Sequence, residues 1–243
     1  ALSGDLANLR KFAATEAILC PNGIVPWSAS QDNPTLLKQK DLAKTLETLA
    51  KEGPRAYYEG DIAEKTIAYL NGTGASFSLD DFGNYKATID DALTTTYNGH
   101  DIVTTGKGTG GPTLAESLGL LDGFDLSQVP HNSVEALHLC SQAFSIAFAD
   151  RFAYLADPDF VEVPLAALLS DAYLDARCEE MSQDRIGNIK AGTKAQLGIA
   201  HDLTGSMPDY SSGGSTTHLS VIDKDGVAVS LTQTLLSLWG SRV

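Results

Sequence analysis

Basic residues are scarce in this chain: 17 Lys and Arg stand against 31 Asp and Glu, for a formal net charge of −14. A chain so acidic repels phosphate backbones and anionic lipid, because it has no Lys/Arg cluster to displace their counterions; nucleic acid is not expected as a partner. Long apolar runs are missing too. None approaches the ~18 residues of a membrane span. Cysteine is rare, and Cys20, Cys140 and Cys178 lie far apart without a C-x-x-C pair, which argues against a zinc knuckle or thioredoxin-type site. Three buried apolar thiols fit better than one disulfide and an orphan. The histidines (His100, His131, His138, His201, His218) never form H-x-x-x-H and never join a cysteine at ligand spacing. No metal or cofactor is therefore predicted. The opening Ala1-Leu2-Ser3-Gly4-Asp5 lacks a secretory signal pattern, although a mature exported protein would show none either.

What remains is an ordinary globular composition, 43% apolar and 20% charged over 243 residues, enough for one large domain or two small ones. Before residue 204 the chain reads as mostly helix. Asp41–Glu52 places Leu42, Leu46, Leu49 and Ala50 on one face and stops at Gly53-Pro54; Asp61–Leu70 repeats the pattern with Ile62, Ile67 and Leu70. Ser133 can cap a long helix through Asp150, with Val134, Leu137, Phe144 and Phe148 as its apolar face. A further helix is expected over Ser170–Met181. Short extended stretches are expected at Ala87–Ile89, Thr94–Tyr97 and Asp101–Thr105. From Thr204 the character changes. Gly205–Ser215 has the composition of a mobile loop, and two strands follow, Thr216–Asp223 and Val227–Leu236, joined by Lys224-Asp225-Gly226. The fold class is α+β, with a β-hairpin at the C-terminal end. An apolar, strand-like run that stops at Trp239–Val243 would leave an exposed edge, so its partner strands are expected in sequence beyond these residues.

Several short motifs compete for a function. Gly106-Lys107-Gly108-Thr109-Gly110-Gly111 satisfies the dinucleotide pattern G-x-G-x-x-G and precedes a helix opened by Pro112; a glycine loop at a helix N-terminus is the favoured reading, since no second parallel strand follows. Asp223-Lys224-Asp225-Gly226 starts like a calcium loop but lacks the later ligands, and reads as a turn. Asp150-Arg151 and Asp157-Pro158-Asp159 read as acid–base groups or, more plainly, as a helix-end ion pair and a turn.

Thr216 is different. A threonine that opens a strand after a Gly/Ser loop becomes an N-terminal nucleophile if the Ser215–Thr216 bond is cut, and its freed α-amine, with a reference pKa near 7.7–8, then suits the role of general base. By itself this is also what a polar strand start looks like, and that plainer reading is favoured until the hairpin is counted out. A three-residue loop with Gly226 in the left-handed position pairs Asp223 with Val227. Counting back in that register sets Thr216 opposite Thr234, with Cβ atoms ~4.5–5.5 Å apart. Thr234 would then orient the Thr216 hydroxyl.

The run Thr216-Thr217-His218-Leu219-Ser220-Val221-Ile222-Asp223-Lys224-Asp225-Gly226 resembles the start of the small subunit of γ-glutamyltranspeptidases, self-cleaving N-terminal-nucleophile hydrolases. Asp41–Leu46, Ala56–Gly60, Asp81–Tyr85, Gly110-Gly111 and Asp150–Phe160 resemble large-subunit segments in the same order. The resemblance covers most of the chain from about Asp41.

It implies a four-layer αββα sandwich, in which residues 1–215 are the C-terminal part of a large subunit and 216–243 the truncated start of a small one. It implies autocleavage between Ser215 and Thr216, Thr216 as nucleophile, and Thr234 in support. The substrates would be a γ-glutamyl donor such as glutathione and an amino acid or water as acceptor; the partners, the two subunits of one precursor. Such proteins are commonly exported, to the periplasm or outside the cell. Two departures bear on substrate. Leu236 stands where typical members carry an Asn that contacts the glutamyl group, which would suit a related glutaryl- or cephalosporin-type acylase. The arginine that grips the donor carboxylate and the downstream acidic, serine and Gly-Gly oxyanion groups are not among these residues, so this piece alone is expected to be inactive. A noncatalytic relative serving as a binding or assembly module is the remaining alternative.

Overall fold

The computed structural model describes residues 2–26, 36–106, 108–182, 185, 187–200, 214–237 and 239–242. Lys107, His201 and the loop expected over Gly205–Ser215, up to residue 213, lie outside the described residues, as do the side chains of Ser215 and Leu236. The chain divides into two compact units, Ala1–Ala87 with Asp209–Val243, and Thr88–Pro208.

The first unit opens with α1 (Leu2–Leu9) and α2 (Ala13–Leu19), followed by α3 (Lys40–Glu52), α4 (Arg55–Tyr58), α5 (Asp61–Gly72) and α6 (Leu79–Gly83). Two boundaries have a plain local cause. Gly53 ends α3 with φ +86, a conformation that a side chain would resist. A capping box of Ser78 and Asp81 starts α6. Arg55 donates to the carbonyls of Gly83 (2.8 Å) and Tyr85 (3.1 Å) and sits 5.6 Å from the Tyr58 ring, tying α4 to the chain beyond α6. Of the face expected on α5, Ile67 is buried, beside Ala63, while Ile62 and Leu70 are half-buried. The leucines of α3 do not follow: Leu42 and Leu46 are exposed. At the far end, the Arg242 Nε lies 2.5 Å from the Asp5 carboxylate, and its carbonyl accepts from the Thr15 hydroxyl (2.9 Å), so the end of the chain closes on the first two helices.

The hairpin β3 (Gly214–Ile222) and β4 (Ala228–Ser237) also belongs to this unit. Its turn is the one that the loop length predicts. Asp223 N donates to Val227 O (3.0 Å), Gly226 has φ +84, and the Asp223 carboxylate accepts from the amides of Asp225 and Val227, both at 2.9 Å.

The second unit holds β1 (Leu93–Tyr97) and β2 (His100–Thr104), an antiparallel pair, then α7 (Gly111–Asp122), α8 (Val134–Tyr154), α9 (Leu165–Leu168), α10 (Asp171–Cys178) and α11 (Lys194–Leu197). Two of the three expected extended stretches are strands; 87–89 is not. The helix expected over Ser170–Met181 is shorter, and the Ser170 side chain caps it by accepting from Tyr173 N. Ser133 caps α8 by accepting from Ala136 N (3.2 Å). The apolar face assigned to α8 is not the packed one, however. Val134 is 86% exposed and Phe144 48%, whereas Leu139, Ala143, Ile146 and Ala147 are buried, three of them in a core with Leu120 and Leu121 of α7. Small residues decide this, because alanines let α7 and α8 approach where phenylalanines would hold them apart.

The G-x-G-x-x-G segment is a turn into α7 and not a Rossmann unit. The strand before it, β2, pairs antiparallel with β1. Thr109 fills the loop with its own hydroxyl, which donates to Gly106 O (2.6 Å), contacts the Thr105 hydroxyl (2.8 Å) and accepts from Gly111 N (3.2 Å). A Cβ at Gly111 would stand 1.7 Å from Thr105 O, so the tight approach requires glycine there.

Candidate active site

On β3, Thr216 falls opposite Thr234 of β4, and its hydroxyl donates to the Thr234 hydroxyl at 3.1 Å. Both residues are exposed. A strand projects alternate side chains to one face, so the Thr216 face continues with His218 and Ser220, matched by Thr232 and Ser230. His218 Nδ1 lies 2.7 Å from the Thr232 hydroxyl; Nε2 lies 3.1 Å from both Ser220 and Ser230. The reverse face carries Leu219, Val221, Val229 and Leu231. The polar face therefore presents a row of hydroxyls around one imidazole, with Thr216 at its end.

Just before Thr216 the ladder breaks. Gly214 pairs with Ser237 and Thr216 with Thr234, so Ser215 faces two residues of β4, Leu235 and Leu236. Such a bulge bends the strand and redirects neighbouring side chains. The Ser215–Thr216 bond thus lies at the register break.

A second cluster, in the second unit, went unread in the sequence apart from one member. Asp150 is fully buried on α8; its carboxylate accepts from Gly192 N (2.6 Å) and the Tyr173 hydroxyl (2.8 Å), and Arg177 Nε stands 3.4 Å away. Glu116 of α7 is 3% exposed and shares a hydrogen bond with Asp150. Burial, then the neighbouring Asp150 charge, pushes the Glu116 carboxyl up to about 10, so it is neutral at physiological pH and serves as donor. Burial and then Asp150 likewise raise the Tyr173 hydroxyl. Burial works against the charge on Arg177, but Asp150, Tyr173 and Glu180 outweigh it and raise that group. A Cβ on Gly192 would stand 1.9 Å from the Tyr173 hydroxyl, which keeps that position glycine.

Asp150 and Arg151 are consequently not a helix-end ion pair. They point apart, and Arg151 donates to Thr109 O (2.8 Å) and to the Thr113 hydroxyl (3.2 Å). Asp157-Pro158-Asp159 is the turn expected, with Asp159 N donating to Asp157 (2.9 Å). The buried cluster is closed to substrate and braces the unit. Its signal in the sequence was a charged residue at spacing i, i+4 from Ile146 and Tyr154, a position on the packed face of α8.

Among the described residues, no group of three His, Cys, Asp or Glu could hold a metal ion, and no helix is long and apolar enough to cross a membrane. Cys20 is buried and free; Cys140 and Cys178 are free and half-buried, and burial raises the Cys178 thiol.

The family model described as gamma-glutamyltranspeptidase matches residues 2–243. This chain belongs to the γ-glutamyltranspeptidase family. Among family relatives, the glutathione hydrolase proenzyme of Bacillus subtilis subsp. natto is 35% identical over the whole of this chain and 41% of its own length. The acylase ACY 1 proenzyme of Pseudomonas sp. (strain V22) is 31% identical over the whole chain and 40% of its own. The chain thus spans about two fifths of these relatives' length. Of solved structures, γ-glutamyltranspeptidase from Helicobacter pylori superposes with a TM-score of 0.71 at 25% identity, over 82% of this chain and 56% of that one. The cephalosporin acylase from Bacillus halodurans gives 0.76 at 19% identity, over 99% and 41%, and establishes likeness of fold alone. The fold is the mixed α+β one expected, shared with γ-glutamyltranspeptidase and acylase structures.

Proposed function

We propose that the full-length protein is a γ-glutamyl transferase or hydrolase whose nucleophile is Thr216, uncovered by cleavage of the chain after Ser215. The observation that carries this reading is the 3.1 Å hydrogen bond between Thr216 and Thr234, at the strand start where a register break meets the proposed cleavage bond. Family membership supports it, and so do relatives named proenzymes.

In the cleavage step, Thr216 Oγ1 attacks the Ser215 carbonyl carbon and its proton passes to the departing Thr216 nitrogen. The C–N bond breaks as the ester forms, and water hydrolyses the ester to a Ser215 carboxylate and a free Thr216 α-amine. Residues up to 215 then belong to a large subunit and those from 216 to a small one, within a four-layer αββα sandwich. In turnover the amine accepts the hydroxyl proton as Thr216 attacks a γ-glutamyl amide such as glutathione, and passes it to the leaving amine. The acyl-enzyme is released by water or an amino acid. No metal or other cofactor enters this chemistry.

The oxyanion donors that such acyl transfer needs are not assigned within these 243 residues, and the chain assayed alone is expected to be inactive. Leu236 supports a second reading, an acylase that takes a glutaryl or cephalosporin-type amide, in line with the acylase relative.

Mass spectrometry of the full-length protein tests the nucleophile. Cleavage should yield a new N-terminus at Thr216, and Thr216→Ala should abolish it; an intact wild-type chain, or cleavage that persists in the variant, refutes the proposal and leaves a noncatalytic relative. Turnover of glutathione against that of a glutaryl amide separates the two enzymatic readings.

A further inference from the structure

We propose that His218 is a positioning residue for Thr216: its imidazole ties the two strands together in the register that sets Thr216 against Thr234. The inference rests on the reading of Thr216 as nucleophile.

The Thr216–Thr234 rung is the last regular one of its hairpin. On one side lies the register break between Gly214 and Thr216, so no regular pairing steadies the rung from there. On the other side, along the same face, comes the His218–Thr232 rung and then Ser220–Ser230. The order that places Thr216 must therefore come from the His218 side.

One ring supplies three links on that side. Nδ1 reaches across the hairpin to Thr232 at 2.7 Å, while Nε2 reaches along its own strand to Ser220 and across to Ser230, both at 3.1 Å. Every partner is a hydroxyl, which can donate or accept, so the ring is satisfied in either tautomer and as the imidazolium. This makes the tie insensitive to the charge state of His218, and a proton-transfer role is not required of it. Register is what the tie protects. A one-residue slip of β4 would carry Thr234, Thr232 and Ser230 to the reverse face and bring Val229 and Leu231 to the face of Thr216.

Cleavage of the full-length precursor, followed by the appearance of Thr216 as an N-terminus, tests this. Measurements are made at a temperature where circular dichroism finds wild type and variants equally folded. His218→Ala should slow cleavage about fivefold, near the ceiling for one cross-strand tie. His218→Gln, whose amide can both donate and accept, should restore the rate to within about twofold. Thr232→Val should slow cleavage in the wild type by about threefold and add little to His218→Ala, because both remove the same tie.

His218→Ala cleaving at the wild-type rate overturns the inference, as does His218→Gln as slow as His218→Ala, since the first denies the ring any influence and the second demands a property peculiar to imidazole. A lowered melting temperature with an unchanged rate also overturns it, leaving a structural role alone. Should His218→Ala not fold, the Gln variant and Thr232→Val decide: a Thr232→Val rate equal to wild type overturns the tie. A wild-type chain never cut after Ser215 sinks the nucleophile reading instead, whereas a cut wild type with undisturbed His218 variants removes only the role given to this histidine.

Discussion

Replacing Glu116 by Gln should change how stability depends on pH, because Glu116 holds a proton in the fold that it releases when the chain unfolds. In the folded protein its carboxyl titrates at about 10 against an ordinary value of 4.5. Between those values folding takes up a proton, so stability is greatest below the lower one, falls as pH rises, and stops falling above the upper one. A whole proton corresponds to about 1.4 kcal/mol per pH unit, hence about 3 kcal/mol between about pH 6 and about pH 8. The charged and titratable groups around Glu116 are Asp150, Arg177 and Tyr173. Gln keeps a hydrogen-bond donor toward Asp150 and has no proton to lose, and so should remove this slope while other groups titrate as before. Urea midpoints of wild type and Glu116→Gln across that range give the difference directly, converted with a shared m-value. The variant should gain on the wild type by up to about 3 kcal/mol as pH rises. Parallel curves would mean that Glu116 is ionised in the fold, and would refute the shared-proton account of the cluster.

Two further substitutions probe the two clusters. Arg177→Met removes the cation 3.4 Å from fully buried Asp150 and should destabilise the protein by about 3–5 kcal/mol in urea denaturation; a loss below about 1 kcal/mol would show that Tyr173 and the Gly192 amide suffice. Thr234→Val removes the hydroxyl that pairs with Thr216 and should slow chain cleavage about tenfold with unchanged circular dichroism, as expected for one hydrogen bond; an undiminished rate would separate Thr234 from the reaction.

What could be read ahead of the structure was local. The end of α3 follows from Gly53, the start of α8 from the Ser133 cap, and the pairing of Thr216 with Thr234, 18 residues apart, from the length of a three-residue turn. The face of α8 did not follow. That helix has apolar residues around much of its circumference, so hydrophobicity alone does not choose between the Phe144–Phe148 side and the Ala143–Ala147 side; close approach by α7 does.

The chain's order of residues thus determined its acidity, its helix ends and the two hydroxyls set face to face across a tight hairpin, all through interactions that reach only a few positions or are counted through one turn. Tertiary structure alone decided that Asp150 would meet Glu116, Tyr173, Arg177 and the Gly192 amide, which come from two other helices and a loop. It also decided that the ladder would break beside Ser215. Partners so distant along the chain have no common spacing by which to find them, because burial, and not sequence proximity, is what forces opposite charges and hydrogen-bonding groups together.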